Sequence, residues 1–304
     1  MKLMRLFTLL LALNAGAARA GTDSDVDALL AAGNYPQALA LLQPAAARGE
    51  AVAQYRLAML YADGKGVAPD RARALELLRK AAGQGDGRAQ ALLGTWYRKG
   101  LGLPADMTEA AKWYARAAAQ GVASARHNLG AMYHLGVGVK RDDVAAVKWL
   151  RLAAEQGYGL SESDLGTLYA AGEGVAKDPA EAVRWWQRAA AMHGIAAAQY
   201  NLGNAYANAL GVPRDDTRAL EWLRLAAGQN VAQAQFDLGI FYRDGRGVKP
   251  DAQRAYMWFY LSAQAGQKSA EIARDTLAQA LPPAQRIRAE HEAADCRKEP
   301  GECK

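Results

Sequence analysis

Apolar residues recur along this chain with the period of an α-helix, and the helical stretches themselves recur every 36 or 37 residues. Tyrosines at 61, 97, 133, 169, 206 and 242 mark the repeat. Four residues before each stands a leucine: Leu57, Leu93, Leu129, Leu165, Leu202 and Leu238. Residues four apart share one face of a helix, so each Leu–Tyr pair predicts a first helix with one apolar side. Glycine follows the leucine in five units, and Ala58 takes that slot in the first. A helix-interior glycine costs about 1 kcal/mol. Its recurrence predicts that a partner helix comes close there. Sixteen residues after the tyrosine stands Leu77, Trp113, Trp149, Trp185, Trp222 or Trp258, followed by a small pair such as Ala189-Ala190. In the fourth unit Ala182, Trp185, Trp186, Ala189 and Ala190 follow the i, i+3, i+4, i+7, i+8 pattern of a buried helical stripe. Every unit therefore reads as helix, loop, helix.

The punctuation agrees. A G-x-G-V loop, as in Gly64-Lys65-Gly66-Val67, follows the first helix, and supplies left-handed backbone that glycine adopts cheaply. Aspartate stands nine residues after each tyrosine: Asp70, Asp106, Asp142, Asp178, Asp215 and Asp251. A carboxylate there caps the second helix. The fourth unit adds Pro179 and Glu181 at the first and third helical positions. It also places His193 where Gly85, Gly121, Gly157 and Gly266 end four other units, with Gly194 after it, and so accounts for the single spacing of 37. A fixed period of this size predicts an all-α stack of helix pairs with no sheet. Such a stack offers an extended surface more readily than one catalytic pocket. Residues 53–266 form the six units, residues 21–52 an atypical helix pair before them, and residues 267–304 capping helices and a tail. Within the last segment, Pro282-Pro283 separates two helices.

Composition changes this picture in three places. Lys2 and Arg5, the apolar run Leu6 to Leu13, and Ala18-Arg19-Ala20 read as a secretory signal peptide over residues 1–20. The run is too short to span a bilayer, which needs about 20 apolar residues. The chain is thus expected in the periplasm or outside the cell, not spanning a membrane once cleaved. Cleavage lowers the net charge from +6 to +3. That surplus is too small to predict nucleic-acid binding. The two cysteines, Cys296 and Cys303, both lie in the tail. A disulfide between them is consistent with an oxidising compartment.

The pattern A-x-x-x-L-G-x-x-Y-x-x-G-x-G-V-x-x-D-x-x-x-A-x-x-W-x-x-x-A-A resembles the Sel1-like repeat, a relative of the tetratricopeptide repeat. The resemblance implies a right-handed superhelix of helix pairs. It also implies adaptor work, in which the chain binds another protein, often in bacterial envelopes, signalling or polysaccharide secretion. Some cysteine-rich secreted relatives are linked to β-lactams, which supplies the alternative of a hydrolase acting on β-lactams or peptidoglycan. Those relatives carry a cysteine pair in each repeat; this chain carries none there, and no S-x-x-K.

The remaining candidate chemistry is thin, and no catalytic residue, cofactor or metal is expected. His127 and His134 are seven apart on one helix, about 10 Å by rise, too far for one ion without further ligands. No H-E-x-x-H or Walker motif occurs. The tryptophan stripe, beside small alanines, reads as core packing, not a carbohydrate platform. Variation points elsewhere. The slots six and two before the tyrosine, and one after it, differ from unit to unit and form one stripe beside the core face. In tetratricopeptide repeats the equivalent slots line the concave groove, and the resemblance implies the same here. Tyr55, Arg98, His127, His134, Tyr200, Asn204, Phe236 and Arg243 are the expected partner-binding residues, since aromatic and arginine side chains are the usual anchors. Tyr55, Tyr200 and Phe236 are equally suited to packing between neighbouring repeats.

Overall fold

The computed structural model describes residues 24–298, all of whose regular elements are helices. The expected signal peptide and Cys303 lie outside these residues. The chain divides into two compact units at Arg141/Asp142. The first holds α1 (24–31), α2 (Tyr35–Ala47), α3 (Ala51–Asp63), α4 (Arg71–Gly83), α5 (Gly87–Lys99), α6 (Met107–Ala119) and α7 (Ala123–Leu135). The second holds α8 (Asp143–Ala154), α9 (Gly159–Ala171), α10 (Pro179–His193), α11 (Ala196–Ala207), α12 (Asp216–Gly228), α13 (Ala232–Asp244), α14 (Ala252–Gln264), α15 (Lys268–Ala280) and α16 (Pro283–Lys298). Within each unit successive helices pack on one another, and α16 folds back onto α14.

The repeat slots sort by burial as their chemistry demands. The six leucines before the tyrosines are all buried, as are the small pairs of the second helices. Each capping aspartate accepts a backbone N–H from the first turn of its helix, as Asp178 does from Glu181 at 2.9 Å. In the fourth repeat α10 runs on through His193 and is capped by left-handed Gly194, the residue added in that repeat. The glycine behind each leucine serves close approach. A Cβ on Gly166 would stand 2.6 Å from the Trp186 ring, and one on Gly203 2.7 Å from Leu223. The second loop glycine meets a further constraint. A Cβ on Gly66 would reach 2.5 Å from the Tyr35 side chain at the start of α2. Gly211 and Gly247 abut the first backbone carbonyls of α10 and α12 in the same way. Each loop therefore beds against the second helix of the preceding repeat.

One expectation is corrected. The core residue of the second helix is the seventeenth after the tyrosine, not the sixteenth: Leu78, Tyr114, Leu150, Trp186, Leu223 and Phe259 are buried. Trp113, Trp149, Trp185 and Trp222 are only half-buried. The buried stripe of α10 is Ala182, Val183, Trp186, Ala189 and Ala190, which leaves Trp185 on its flank. There Arg188 lies over its ring at 4.8 Å, as Arg116 lies over Trp113 at 4.4 Å. These rings roof the core edge under a cation. Trp258 is fully buried because α14 is packed by α13, α15 and α16.

Candidate functional site

In the first unit, the variable stripe runs along α3, α5 and α7. Tyr55 is half-buried against the unit's core cluster, with the Arg88 guanidinium 5.2 Å from its ring centroid. Burial pushes its hydroxyl pKa up, against the opposing pull of Arg88. Arg98 is exposed and its Nε donates to the Tyr114 hydroxyl at 3.4 Å. His127 and His134 are both half-exposed on α7. On α3 Met59 stands 41% exposed, a large apolar side chain open to solvent.

In the second unit, two of the expected residues meet. Tyr200 on α11 lies within electrostatic reach of Asn204, one turn away, and of the Asp237 carboxylate on α13. Gln233 Nε2 donates to Asp237 at 3.2 Å, and Gln267 Nε2 to Gln233 Oε1 at 2.5 Å. Burial raises the pKa of both Tyr200 and Asp237. Phe236 packs with its ring centroid 5.7 Å from that of Phe259. Arg243 is exposed and bonds Asp244 at 2.7 Å. Tyr200 and Phe236 touch the hydrophobic cluster of this unit yet keep part of their surface open. They are both packing residues and part of the face. Taken separately, neither unit brings three His, Cys, Asp or Glu ligand atoms together among the described residues. Cys296 is half-buried against the C-terminal cluster, while the disulfide expected with Cys303 falls outside the described residues.

Sequence reasoning passed over a second set of recurring polar residues. Seven residues before each tyrosine stands Gln54, Gln90, Arg126, Glu162, Gln199 or Gln235. These side chains are held at the junctions between repeats. Gln54, Gln90 and Gln235 donate to Ala46, Ala82 and Ala227, the last-turn carbonyls of the preceding second helix, at 3.2, 3.0 and 3.3 Å. Arg126 does the same to Ala118 at 3.1 Å. A glutamine at the end of the following helix then donates back: Gln84 to Gln54 at 2.8 Å, Gln120 to Gln90 at 2.7 Å and Gln229 to Gln199 at 2.8 Å. The fourth repeat alone is acidic. Glu162 has no exposed side-chain surface and faces Arg188 Nη2 at 2.8 Å and His193 Nε2 at 3.6 Å. A glutamate cannot donate to Ala154, so Arg188 does, at 3.3 Å. His193 packs on Gly159, where a Cβ would come within 2.7 Å of the imidazole. The signal was available as the recurrence at that slot.

The sequence profile of the Sel1 repeat matches residues 29–50, 51–86, 87–122, 123–158, 160–193, 196–231 and 232–267. No curated protein sequence matches the chain. Among solved structures, a protective antigen of uropathogenic Escherichia coli, described as displaying an SLR fold, is 32% identical with a TM-score of 0.74. The match covers 85% of this chain and 56% of the antigen, so the chain spans little more than half of that protein's length. A Sel1 repeat protein from Oxalobacter formigenes is 33% identical with a TM-score of 0.72, covering 79% of this chain and 96% of that one. The profile runs almost unbroken from residue 29 to residue 267, and solved repeat proteins share about a third of the residues; the chain belongs to the Sel1 repeat family.

Proposed function

We propose that the chain is an exported scaffold of the bacterial cell envelope that holds a protein partner along the face formed by its first helices, and that it is not an enzyme. One observation carries this reading. Along each first helix the leucine slot is constant and buried, and the slot after it holds a buried glycine, or Ala58 in the first unit, while the slots six and two before the tyrosine and one after it change freely and, Ser163 and Ala207 apart, reach solvent. Packing accounts for the former; a partly open surface furnished with tyrosine, phenylalanine and arginine suits recognition. The proposed working part is residues 53–266, with residues 21–52 and 267–304 as end caps. No helix among the described residues is long and apolar enough to cross a membrane, and export rests on the basic, apolar and A-x-A pattern of residues 1–20.

The test is the joint substitution of Arg98, His134, Asn204 and Arg243 by alanine. Exposed substitutions usually change stability within about 0.5 kcal/mol each, so the variant is expected to melt near the parent temperature while losing partner capture from envelope extract. A folded variant that captures the partner undiminished refutes the face. A separate assay with nitrocefin addresses the hydrolase alternative: turnover by the purified chain would replace the scaffold reading.

A further inference from the structure

We propose that the α11–α13 part of the first-helix face seats a lysine or arginine side chain of a basic partner segment, with Asp237 as counterion and Tyr200 beside it as an aromatic wall. This rests on the reading of that face as a partner-binding surface, and names the chemistry it selects.

Asp237 is half-buried, and its hydrogen-bond donor, the Gln233 amide, is neutral, as is the Tyr200 hydroxyl near it. A carboxylate accepts about four hydrogen bonds, so room remains for more. Two arginines lie close by in sequence, yet both are committed elsewhere. Arg243 Nε pairs with Asp244 at 2.7 Å. Arg246 Nη2 bonds Asp216 at 2.8 Å and the Ala207 carbonyl at 3.1 Å. Among the described residues Asp237 forms no ion pair. A partly desolvated carboxylate without a bonded cation is costly, and burial raises its pKa against the weaker pull of Arg246. The relay from Gln267 through Gln233 fixes its orientation. Packing does not require an acid here, because the equivalent slot holds Arg56, Leu92, Asn128, Asp164 and Asn201 in the other repeats. The ring of Tyr200 is partly open, and aromatic faces attract ammonium and guanidinium groups. A carboxylate beside an aromatic face is complementary to a cation at the end of an aliphatic stem.

The experiment pans a random peptide library on the purified chain, then measures retained peptides against Asp237→Asn, the four-alanine variant of the same face, and Lys80→Ala on α4 as control. The expected result is enrichment of lysine and arginine, with binding weakened about tenfold or more by Asp237→Asn and unchanged by Lys80→Ala. Peptides without basic enrichment, or bound equally by Asp237→Asn, overturn the cation seat. If those peptides still lose binding to the four-alanine variant, the partner face survives and only the seat falls. If they are indifferent to both, or if nothing is retained, both readings fall. Enrichment is read on the unaltered chain, so the cation seat is tested even where Asp237→Asn folds poorly.

Discussion

At the scale of single residues, the repeat makes its own controls, because the same slot is filled several times under the same packing. Glu162 departs from the glutamine of its slot, and its surroundings change to match, with Arg188 and His193 supplying charge and Arg188 the bond to Ala154. Breaking a buried ion pair by removing one partner strands the other charge. Arg188→Ala is therefore expected to lower stability by about 3 kcal/mol, whereas Arg188→Ala combined with Glu162→Gln recovers most of it. Urea unfolding of the two variants checks this; equal loss in both contradicts the ion-pair account. Ala209 departs in the backbone. It occupies a loop slot that is glycine in the other five repeats, and does so at φ 56°. Left-handed backbone costs a residue with a Cβ about 1–2 kcal/mol. Ala209→Gly should raise the thermal midpoint by a few degrees, on the order of 2 °C for a chain of this size. No rise in a calorimetric scan would mean that the loop relaxes the strain.

At the scale of elements, the second helices show how much depends on neighbours. They share one pattern of caps and small residues, yet most keep a half-open tryptophan while α14 is buried almost all round. The difference is α16, whose Ala289 and Ala293 are fully buried and whose Glu290 accepts a hydrogen bond from Tyr256 of α14 at 2.9 Å. Burial, with the hydrogen bond to Glu290 adding to it, pushes the Tyr256 pKa up from 10 to about 12. The folded pKa lies above the unfolded one, so this stabilisation is present below pH 10 and lost as pH rises toward about 12. Over that window the parent chain is expected to lose more stability than Tyr256→Phe, which has no proton to give up. Thermal midpoints measured across the alkaline range compare them; parallel curves would show that this contact does not carry the α16 docking.

At the scale of the whole molecule, stacked repeats favour an extended binding surface over a single pocket. Where that face works depends on export. If the first residues are removed as their pattern predicts, N-terminal sequencing of the protein from an envelope fraction will begin at Gly21. A chain recovered from the cytosol with Met1 intact would remove the envelope from the proposed function.

The sequence by itself determined the helix pairs, their caps, their loops and their period, because each depends on residues within one turn or one repeat of each other. Aspartate caps, left-handed glycines and the leucine stripe are local chemistry repeated six times. Tertiary structure decided what local spacing leaves open. The sixteenth and seventeenth residues after the tyrosine are both large, and only the angle at which α9 meets α10 shows that Trp186 is core and Trp185 its flank. The junction role of Gln54, Gln90 and Gln235 depends on carbonyls of the preceding helix, which no pattern within one helix reveals. The expected binding residues were chosen by their variation along the first helices. That Tyr200 comes near a half-buried Asp237 across the gap between α11 and α13 is decided by the packing of two repeats, which brings together residues 37 apart in sequence.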